Sequence, residues 1–159
     1  MDEVYQVKPI GFVQIRQENI SIHLEQEYHS GLSGLEGFSH LQVLWWAHRT
    51  DSAENRQRLV LGKPFRMGPD RLGIFATRSP ARPNPVMVSI IEVDEIDDKE
   101  GILYPSFLDA DDGTPVMDIR PYFAMERVRD CQVPDWCRHW PQWYEEQMTF
   151  DWRQEIESL

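Results

Sequence analysis

The feature that most constrains the fold of this chain is a succession of short β-prone runs. Runs of this kind occupy residues 7–15, 20–24, 41–47, 58–61, 72–76, 86–93, 102–108 and 115–119. Turn signals separate several of them, at 68–70, 97–101 and 111–113. Seven or eight short strands without long helical patterns between them favour an all-β closed barrel or a sandwich. Because the run 41–47 is nearly all apolar, it predicts a strand that is buried on both faces.

The C-terminal part of the chain has a different pattern. Trp136, Trp140 and Trp143 follow one another at the spacing of a single helix face. Since Pro141 cannot occupy a helix interior, we expect a short turn up to Trp140 and a second helix with Pro141 near its first turn. The tryptophans fit packing against the barrel or against a second subunit better than stacking on bases. We therefore expect a barrel domain over 1–125 and a Trp-rich helical tail over 126–159.

The charge balance limits which partners the chain can take. Its 159 residues include 16 Lys and Arg against 27 Asp and Glu, which gives a net charge of −11. This balance excludes broad, salt-driven capture of nucleic acid through phosphate groups. A small cationic pocket within an acidic surface is still compatible with it, so tRNA is possible as a partner but disfavoured.

Compartment and metal content are predicted from weaker signals. No run approaches 18 apolar residues and no basic-then-apolar segment opens the chain, so we expect a cytoplasmic protein without a membrane segment. Cys131 and Cys137 are six residues apart, which fits neither a redox pair nor a zinc knuckle, and we expect both to be reduced. The five histidines lack metal-ligand spacing, so we expect no metal.

A loop over residues 73–85 contains three prolines and two arginines, Arg78 and Arg82. Because proline fixes its own φ and restricts the residue before it, this loop is predicted to be stiff. A stiff loop that presents arginines suits an anion site, since little ordering entropy is lost on binding. A rigid surface connection with two solvated arginines explains the same residues equally well.

Polar side chains also gather where the predicted strands begin or end. His40 precedes the run 41–47, and His48 and Arg49 follow it. An acidic turn at 109–112 precedes the last predicted strand. Each group fits ordinary strand-end and turn hydrogen bonding as well as ligand binding. The acidic turn lacks the alternating acids and the terminal Glu of an EF-hand calcium loop.

Three longer motifs resemble one protein family. They are Gly-Leu-Glu-Gly-Phe-Ser-His-Leu at 34–41, Gly-Ile-Phe-Ala-Thr-Arg-Ser-Pro-x-Arg-Pro-Asn-Pro at 73–85, and Asp-Gly-Thr-Pro-Val-x-Asp-Ile-Arg-Pro-Tyr at 112–122. Together they resemble the TsaA/TrmO family over about residues 7 to 123. The resemblance implies a single-domain β-barrel that binds S-adenosylmethionine and forms a homodimer. The best-known members of the family methylate N6 of threonylcarbamoyl-adenosine at position 37 of tRNA.

The resemblance also implies which residues form the site. The cofactor contacts of the family fall on His48, Arg49, Arg78, Val88, Leu108, Asp109, Ala110 and Asp111. The carboxylate of the cofactor suits the guanidinium of Arg78. His40 and Asp112 are candidates for a base that acts on the ureido N6. Arg82 and Asn84 are candidates for contacts to the acceptor, and Arg82 is alternatively a structural brace.

Two departures from the family pattern keep three functions open. Met87 stands where members usually have glycine, and the Trp-rich tail stands where longer members carry an additional C-terminal domain. The chain is then a methyltransferase for modified tRNA, a methyltransferase for a small molecule, or a non-catalytic protein that binds S-adenosylmethionine or a partner. A basic patch beside the pocket favours the first function, an enclosed apolar pocket the second, and a sealed pocket the third.

Overall fold

The predicted β-runs form eight strands in the computed structural model, which describes residues 3–157. They are β1 (Gly11–Arg16), β2 (Asn19–Leu24), β3 (His40–Trp46), β4 (Val60–Gly62), β5 (Arg71–Gly73), β6 (Val86–Asp97), β7 (Ile102–Pro105) and β8 (Pro115–Pro121). Six of them close an antiparallel barrel in the order β1-β2-β7-β6-β3-β8. The all-β closed barrel is confirmed, but six strands form it rather than the seven or eight predicted, because β4 and β5 pair with each other in a separate two-stranded sheet.

Short helical segments join the strands. They are one α-helix, α1 (Ala53–Gln57), and 3-10 turns at Gln26–Leu32, Ile74–Ala76, Ala124–Glu126, Asp135–Cys137, Tyr144–Met148 and Trp152–Gln154. The side-chain oxygen of Ser52 caps α1 by accepting a hydrogen bond from the Asn55 N–H, at 3.1 Å. None of the helices within residues 3–157 has the length and apolar character needed to cross a membrane.

The core lies inside the barrel and is built by alternation along the strands. On β3, Leu41, Val43 and Trp45 are buried, whereas the side chains between them are half-exposed. The prediction that this strand is buried on both faces is therefore wrong. In a small antiparallel barrel only every second side chain points inward, so the apolar residues on the outer face remain partly in contact with solvent.

The β4–β5 hairpin lies outside the barrel and leads into the proline-rich loop. Leu61 pairs with Leu72 in this hairpin, and β5 ends at Gly73 rather than at residue 76 as predicted. The chain turns there because the backbone oxygen of Ile74 accepts hydrogen bonds from the N–H of Thr77 at 3.1 Å and from its hydroxyl at 2.8 Å. The Ile74 side chain is fully buried and anchors this turn.

The tail consists of 3-10 turns. The short turn predicted before Trp140 is present at Asp135–Cys137, but the second helix predicted from Pro141 is replaced by 3-10 turns at Tyr144–Met148 and Trp152–Gln154. Trp136 and Trp140 pack around Phe65 of the β4–β5 loop, with ring centroids 5.2 and 5.0 Å away. Trp143 is outside this cluster and 65% exposed. Pro141 separates the first of these turns from the others, as predicted, because it lacks the backbone donor that a continuous helix would need.

The tail also contacts the barrel within the same chain. The hydroxyl of Tyr144 accepts a hydrogen bond from the backbone N–H of Glu92, at 3.3 Å. Near the end of the described chain, the N–H of Arg66 donates to the carbonyl of Glu155 at 2.8 Å, which ties the tail to the β4–β5 loop. The division at residues 125 and 126 stays a prediction.

Candidate functional site

A cavity of about 280 Å³ opens at one end of the barrel. Because β3 runs antiparallel to β6 and β8, the end of β3 lies beside the beginnings of both strands. Three loops therefore converge there, one after β3, the proline-rich loop before β6, and the acidic loop before β8. The cavity is lined by Trp45, Ala47, His48, Arg49, Thr50, Arg78, Pro80, Met87, Asp109, Ala110, Asp111 and Thr114.

Six of the eight predicted cofactor residues line this cavity: His48, Arg49, Arg78, Asp109, Ala110 and Asp111. The other two act through their backbone. The carbonyl of Val88 accepts a hydrogen bond from the Arg78 guanidinium, and the carbonyl of Leu108 accepts one from the Ala110 N–H at 2.8 Å. The structure thus brings together residues that are up to about sixty positions apart in the sequence.

An ion pair spans the mouth of the cavity. Nη1 of Arg49 lies 3.1 Å from Oδ1 of Asp111, and both side chains are more than half exposed. An exposed pair of this kind contributes at most about 1 kcal/mol, because both charges are well solvated when apart. A ligand that carries both a carboxylate and an ammonium group can therefore exchange partners with the pair at small cost.

The loop that carries Arg78 is held by hydrogen bonds within itself. The hydroxyl of Thr77 accepts from the Ser79 N–H at 3.2 Å, and the carbonyl of Thr77 accepts from Nη1 of Arg82 at 3.3 Å. Arg82 thus braces the loop and does not line the cavity. Asn84 is exposed outside the cavity, and its carbonyl accepts from the Val86 N–H.

Thr50 joins two of the three loops. Its hydroxyl lies 3.1 Å from the carbonyl of Pro80 and 3.1 Å from that of Ala47. The carbonyl of Thr50 in turn accepts from Nδ2 of Asn55, at 2.7 Å. One small side chain thereby fixes the loop bearing Arg49 against the loop bearing Arg78.

Comparison with known proteins places this fold and cavity in a family. Residues 6–126 match the family model described as the tRNA-methyltransferase O N-terminal domain. The chain belongs to this family.

Curated relatives of the family carry two kinds of name. A probable S-adenosyl-L-methionine-binding protein of Methanothermobacter thermautotrophicus is 36% identical over 136 residues, covering 77% of this chain and 93% of that protein. The tRNA (adenine(37)-N6)-methyltransferase of Escherichia coli is 40% identical over 112 residues, covering 68% of this chain and 47% of that enzyme. The chain therefore spans about half the length of this curated methyltransferase.

A solved structure shares the fold. TrmO from Pseudomonas aeruginosa superposes with a TM-score of 0.62 at 26% identity, covering 82% of this chain and 62% of that one. The predicted resemblance to the TsaA/TrmO family is thereby confirmed.

The family motifs also contain residues that lie outside the cavity. The ring of His40, at the start of β3, packs edge-to-face against the ring of Tyr144, with 5.1 Å between the ring centroids. Its Nδ1 is hydrogen-bonded to the Ser39 hydroxyl at 2.8 Å. Along β3, the cavity-lining Trp45 lies five positions beyond His40, a distance of about 17 Å. Oδ1 of Asp112 accepts from the Ile15 N–H at 2.8 Å, so this carboxylate ties the acidic loop to β1. Within one chain the structure brings neither candidate base to the cavity.

Met87, which departs from the TrmO pattern, has a defined place. Its side chain lines the cavity and packs against the barrel core. It therefore narrows the space available to a ligand and faces the core at the same time. A Cβ-bearing side chain here fills volume that a family member with glycine leaves open.

Sequence reasoning missed a charged cluster next to the loop that carries Arg49. Oδ2 of Asp51 accepts from Nε1 of Trp46 at 2.9 Å and from Nη2 of Arg56 at 2.9 Å. The hydrogen bonds from Arg56 and, to a smaller extent, from Trp46 hold the pKa of Asp51 below its usual value. The sequence offered one signal for this cluster. The indole N–H of a half-buried tryptophan needs a hydrogen-bond acceptor, and Asp51 follows Trp46 by five residues.

A second cavity, of about 340 Å³, lies along the tail, and its wall has few of the charged side chains that line the first cavity. It is lined by Cys131, Gln132, Val133, Arg138 and Gln142. Its one lining cation, Arg138, is paired with Asp135, and neither of these residues belongs to the family motifs. The smaller cavity at the barrel end is therefore the candidate functional site.

Proposed function

We propose that this chain is an S-adenosylmethionine-dependent methyltransferase that acts on N6 of threonylcarbamoyl-adenosine in tRNA. The observation that carries the proposal is the convergence of the family's cofactor residues, His48, Arg49, Arg78 and Asp109 to Asp111, on one cavity. The names of the relatives support both halves of the proposal, since some are named for binding the cofactor and others for methylating tRNA.

The donor set of the cavity fits the cofactor. Arg78 and Arg49 offer guanidinium groups for a carboxylate, and Asp111 offers an acceptor for an ammonium group. Trp45, Ala47 and Met87 supply an apolar wall of the kind that an adenine ring requires. These groups come from rigid barrel ends and braced loops, so little ordering entropy is lost on binding.

The cofactor supplies the methyl group, and the chain contributes position and electrostatics. Arg78 is held by the Val88 carbonyl and by a braced loop, so its guanidinium is pre-oriented for a carboxylate. If a ligand carboxylate replaced Asp111 on Arg49, Asp111 would be free to accept from an ammonium group and to balance positive charge at the cavity mouth. A base role for His40 or Asp112 would need the acceptor to extend beyond the cavity or the residue to come from a second chain.

The form of the cavity favours this function over the two alternatives. Its mouth is open, because Arg49 and Asp111 have side chains 60% and 54% exposed. A sealed cofactor sensor would not need such an opening, and an enclosed apolar pocket for a small acceptor would not place seven polar side chains in its wall.

The direct test uses purified protein, S-adenosylmethionine with a labelled methyl group, and tRNA that contains threonylcarbamoyl-adenosine. Mass spectrometry of the digested nucleosides should show one methyl group added to that nucleoside. tRNA from cells unable to make the threonylcarbamoyl group is the matched control and should remain unlabelled. Cofactor binding without transfer to this tRNA would contradict the proposal, and transfer to a free nucleoside alone would support the small-molecule alternative.

A homodimer and a cytoplasmic location complete the proposal. Exposed apolar residues on the tail side, such as Met125 at 88% and Val128 at 73%, support a second chain. Both cysteines are free, as suits a reducing compartment. Light scattering of the purified protein should give twice the 18.8 kDa mass of one chain. A monomer mass at all concentrations would contradict the dimer.

A further inference from the structure

Positive charge is concentrated in one stretch of the chain, residues 49–82. This stretch holds eight of the 16 Lys and Arg residues but three of the 27 Asp and Glu residues, a net charge of +5. The rest of the chain holds eight Lys and Arg against 24 Asp and Glu, a net charge of −16. A polyanion is thus repelled by most of the molecule and attracted to this part, even though the whole chain is acidic.

Half of these cations are already paired with carboxylates. Arg49, Arg56, Arg58 and Lys63 pair with Asp111, Asp51, Glu54 and Glu157. Among the described residues, no carboxylate lies within 4.0 Å of Arg66, Arg71, Arg78 or Arg82. Arg78 and Arg82 donate to backbone carbonyls. Arg66 and Arg71, on the β4–β5 hairpin, are exposed and lie outside the cavity lining, so they are the cations of this stretch that suit an anion bound outside the cavity.

The same hairpin exposes apolar and aromatic surface beside these cations. The register places Gly62 opposite Arg71 and Val60 opposite Gly73 on one face, and all four are exposed. Leu61 and Leu72 form the other, half-buried face. Phe75, in the turn after β5, is 76% exposed. Phe75 lies four residues beyond Arg71 in the sequence. Exposed aromatic rings together with arginines that make no ion pair bind single-stranded nucleic acid, through stacking and phosphate contacts.

The hairpin is directly connected to the candidate site. Phe75 precedes Arg78 by three residues, so their Cα atoms are at most about 11 Å apart. Arg78 lines the cavity, and the loop between the two residues is closed by the Thr77 hydrogen bonds to Ile74. A nucleic-acid strand bound along the hairpin would therefore pass the mouth of the cavity.

We infer that the surface formed by Arg66, Arg71 and Phe75, hereafter the hairpin surface, binds the RNA strand that carries the methyl acceptor. This inference rests on the proposed function and specifies how an acidic protein holds its RNA. The arginines contact phosphates, and Phe75 stacks on an unpaired base next to the one that enters the cavity. A second copy that presents the same surface fits less well, because two faces of net positive charge would repel each other.

The test compares two double variants that remove the same charge. Arg66→Gln/Arg71→Gln alters the hairpin surface, whereas Arg127→Gln/Arg129→Gln removes two exposed arginines from the tail. Binding of fluorescein-labelled tRNA is measured by anisotropy at several salt concentrations. The hairpin variant should bind about tenfold more weakly, and the slope of log K against log salt should fall by about 2. The tail variant should stay within about twofold of the unaltered chain, since long-range charge alone changes affinity little in salt.

A third variant tests the stacking residue. Phe75→Ala should weaken tRNA binding about tenfold while leaving the salt slope unchanged, because stacking releases no counterions. Calorimetry with S-adenosylmethionine should give the same affinity for all variants, which also shows that each one is folded.

The outcomes separate this inference from the proposed function. If the hairpin variants lose tRNA affinity but the unaltered chain transfers no methyl group, the hairpin surface stands and the proposed function fails. If methyl transfer occurs and the hairpin variants bind tRNA normally, the hairpin surface is overturned. It is also overturned if the tail variant loses as much affinity, if the unaltered chain binds no tRNA, or if light scattering shows that the hairpin variants change only the oligomeric state.

Discussion

The two ends of strand β3 carry similar residues in different surroundings. Beyond Trp46, His48 and Arg49 face an open cavity into which two further loops bring charged groups. At the other end, His40 is covered by the ring of Tyr144 from the tail. Both histidines lie next to the same apolar run, so sequence position alone makes them equivalent.

This difference shows that a ligand site forms where the fold brings several strand ends together. Closeness of residues in the sequence does not by itself make a site. The cavity end is where β3 stops beside the starts of β6 and β8, each preceded by a polar loop. The far end is about 20 Å away along the strand and is packed against the tail. Four substitutions, taken from the largest expected effect to the smallest, test this contrast.

Arg78→Ala should weaken S-adenosylmethionine binding about a hundredfold, because a hydrogen-bonded charge contributes about 1.5–3 kcal/mol. Arg78→Lys should recover only part of the affinity, since an ammonium group lacks the planar fork of a guanidinium. Calorimetry measures both affinities. Unchanged affinity in the alanine variant would remove Arg78 from the cofactor site.

Asp51→Asn should lower the free energy of unfolding by about 1–2 kcal/mol at neutral pH, because Arg56 loses a charge-assisted partner. The lowered pKa of Asp51 sets the pH dependence. The stabilisation that ionised Asp51 provides is complete at pH values above the pKa of the unfolded state, about 4. It is lost as the pH falls through the lower pKa of Asp51 in the folded state. Urea unfolding should therefore show the largest difference at neutral pH and a vanishing one in strong acid.

Glu54→Gln is the matched control for that experiment, since it breaks the exposed pair with Arg58. It should cost less than about 0.5 kcal/mol. Equal costs for the two variants would show that the cluster of Asp51, Arg56 and Trp46 has no special role in supporting the cavity end.

Thr50→Val should weaken cofactor binding about fivefold, since the loops of Arg49 and Arg78 lose a shared hydrogen bond worth about 1 kcal/mol. Thr50→Ser retains the hydroxyl and should restore the affinity. Calorimetry distinguishes this positioning role from a packing role, because loss of packing would weaken binding in the serine variant as well.

His40→Ala should change cofactor affinity by less than about twofold, because distant sites act independently. The thermal midpoint should fall slightly as the contact with Tyr144 is lost. A tenfold loss of affinity would show that the two ends of β3 belong to one site, and would bring His40 back as a cofactor or base residue.

The sequence predicted the strands better than their arrangement. All eight β-prone runs form strands, and the three turn signals lie between them, because period-two patterns and turn residues act locally. The placement of β4 and β5 outside the barrel depends on long-range pairing, which no local pattern records. The tail was predicted as a turn followed by a second helix, but short 3-10 turns replace that helix. The aromatic packing of the tail around Phe65 depends on contacts distant in the sequence, which the tryptophan spacing does not record.

The site was predicted through family motifs rather than through spacing. The family resemblance implied six residues that line the cavity, but it also made candidates of His40 and Asp112, whose contacts within one chain are structural. Thr50 carries no sequence signal of its role, since its partner Pro80 is brought to it only by the folded loops.

The most direct test of the central claim is a crystal structure of this protein soaked with S-adenosylmethionine. The account predicts ligand density at the Trp46 end of β3, with the carboxylate on a guanidinium of Arg78 or Arg49 and the Arg49–Asp111 pair separated. Density beside His40 and Tyr144, or density at the cavity with the ion pair intact and no arginine contact, would contradict it.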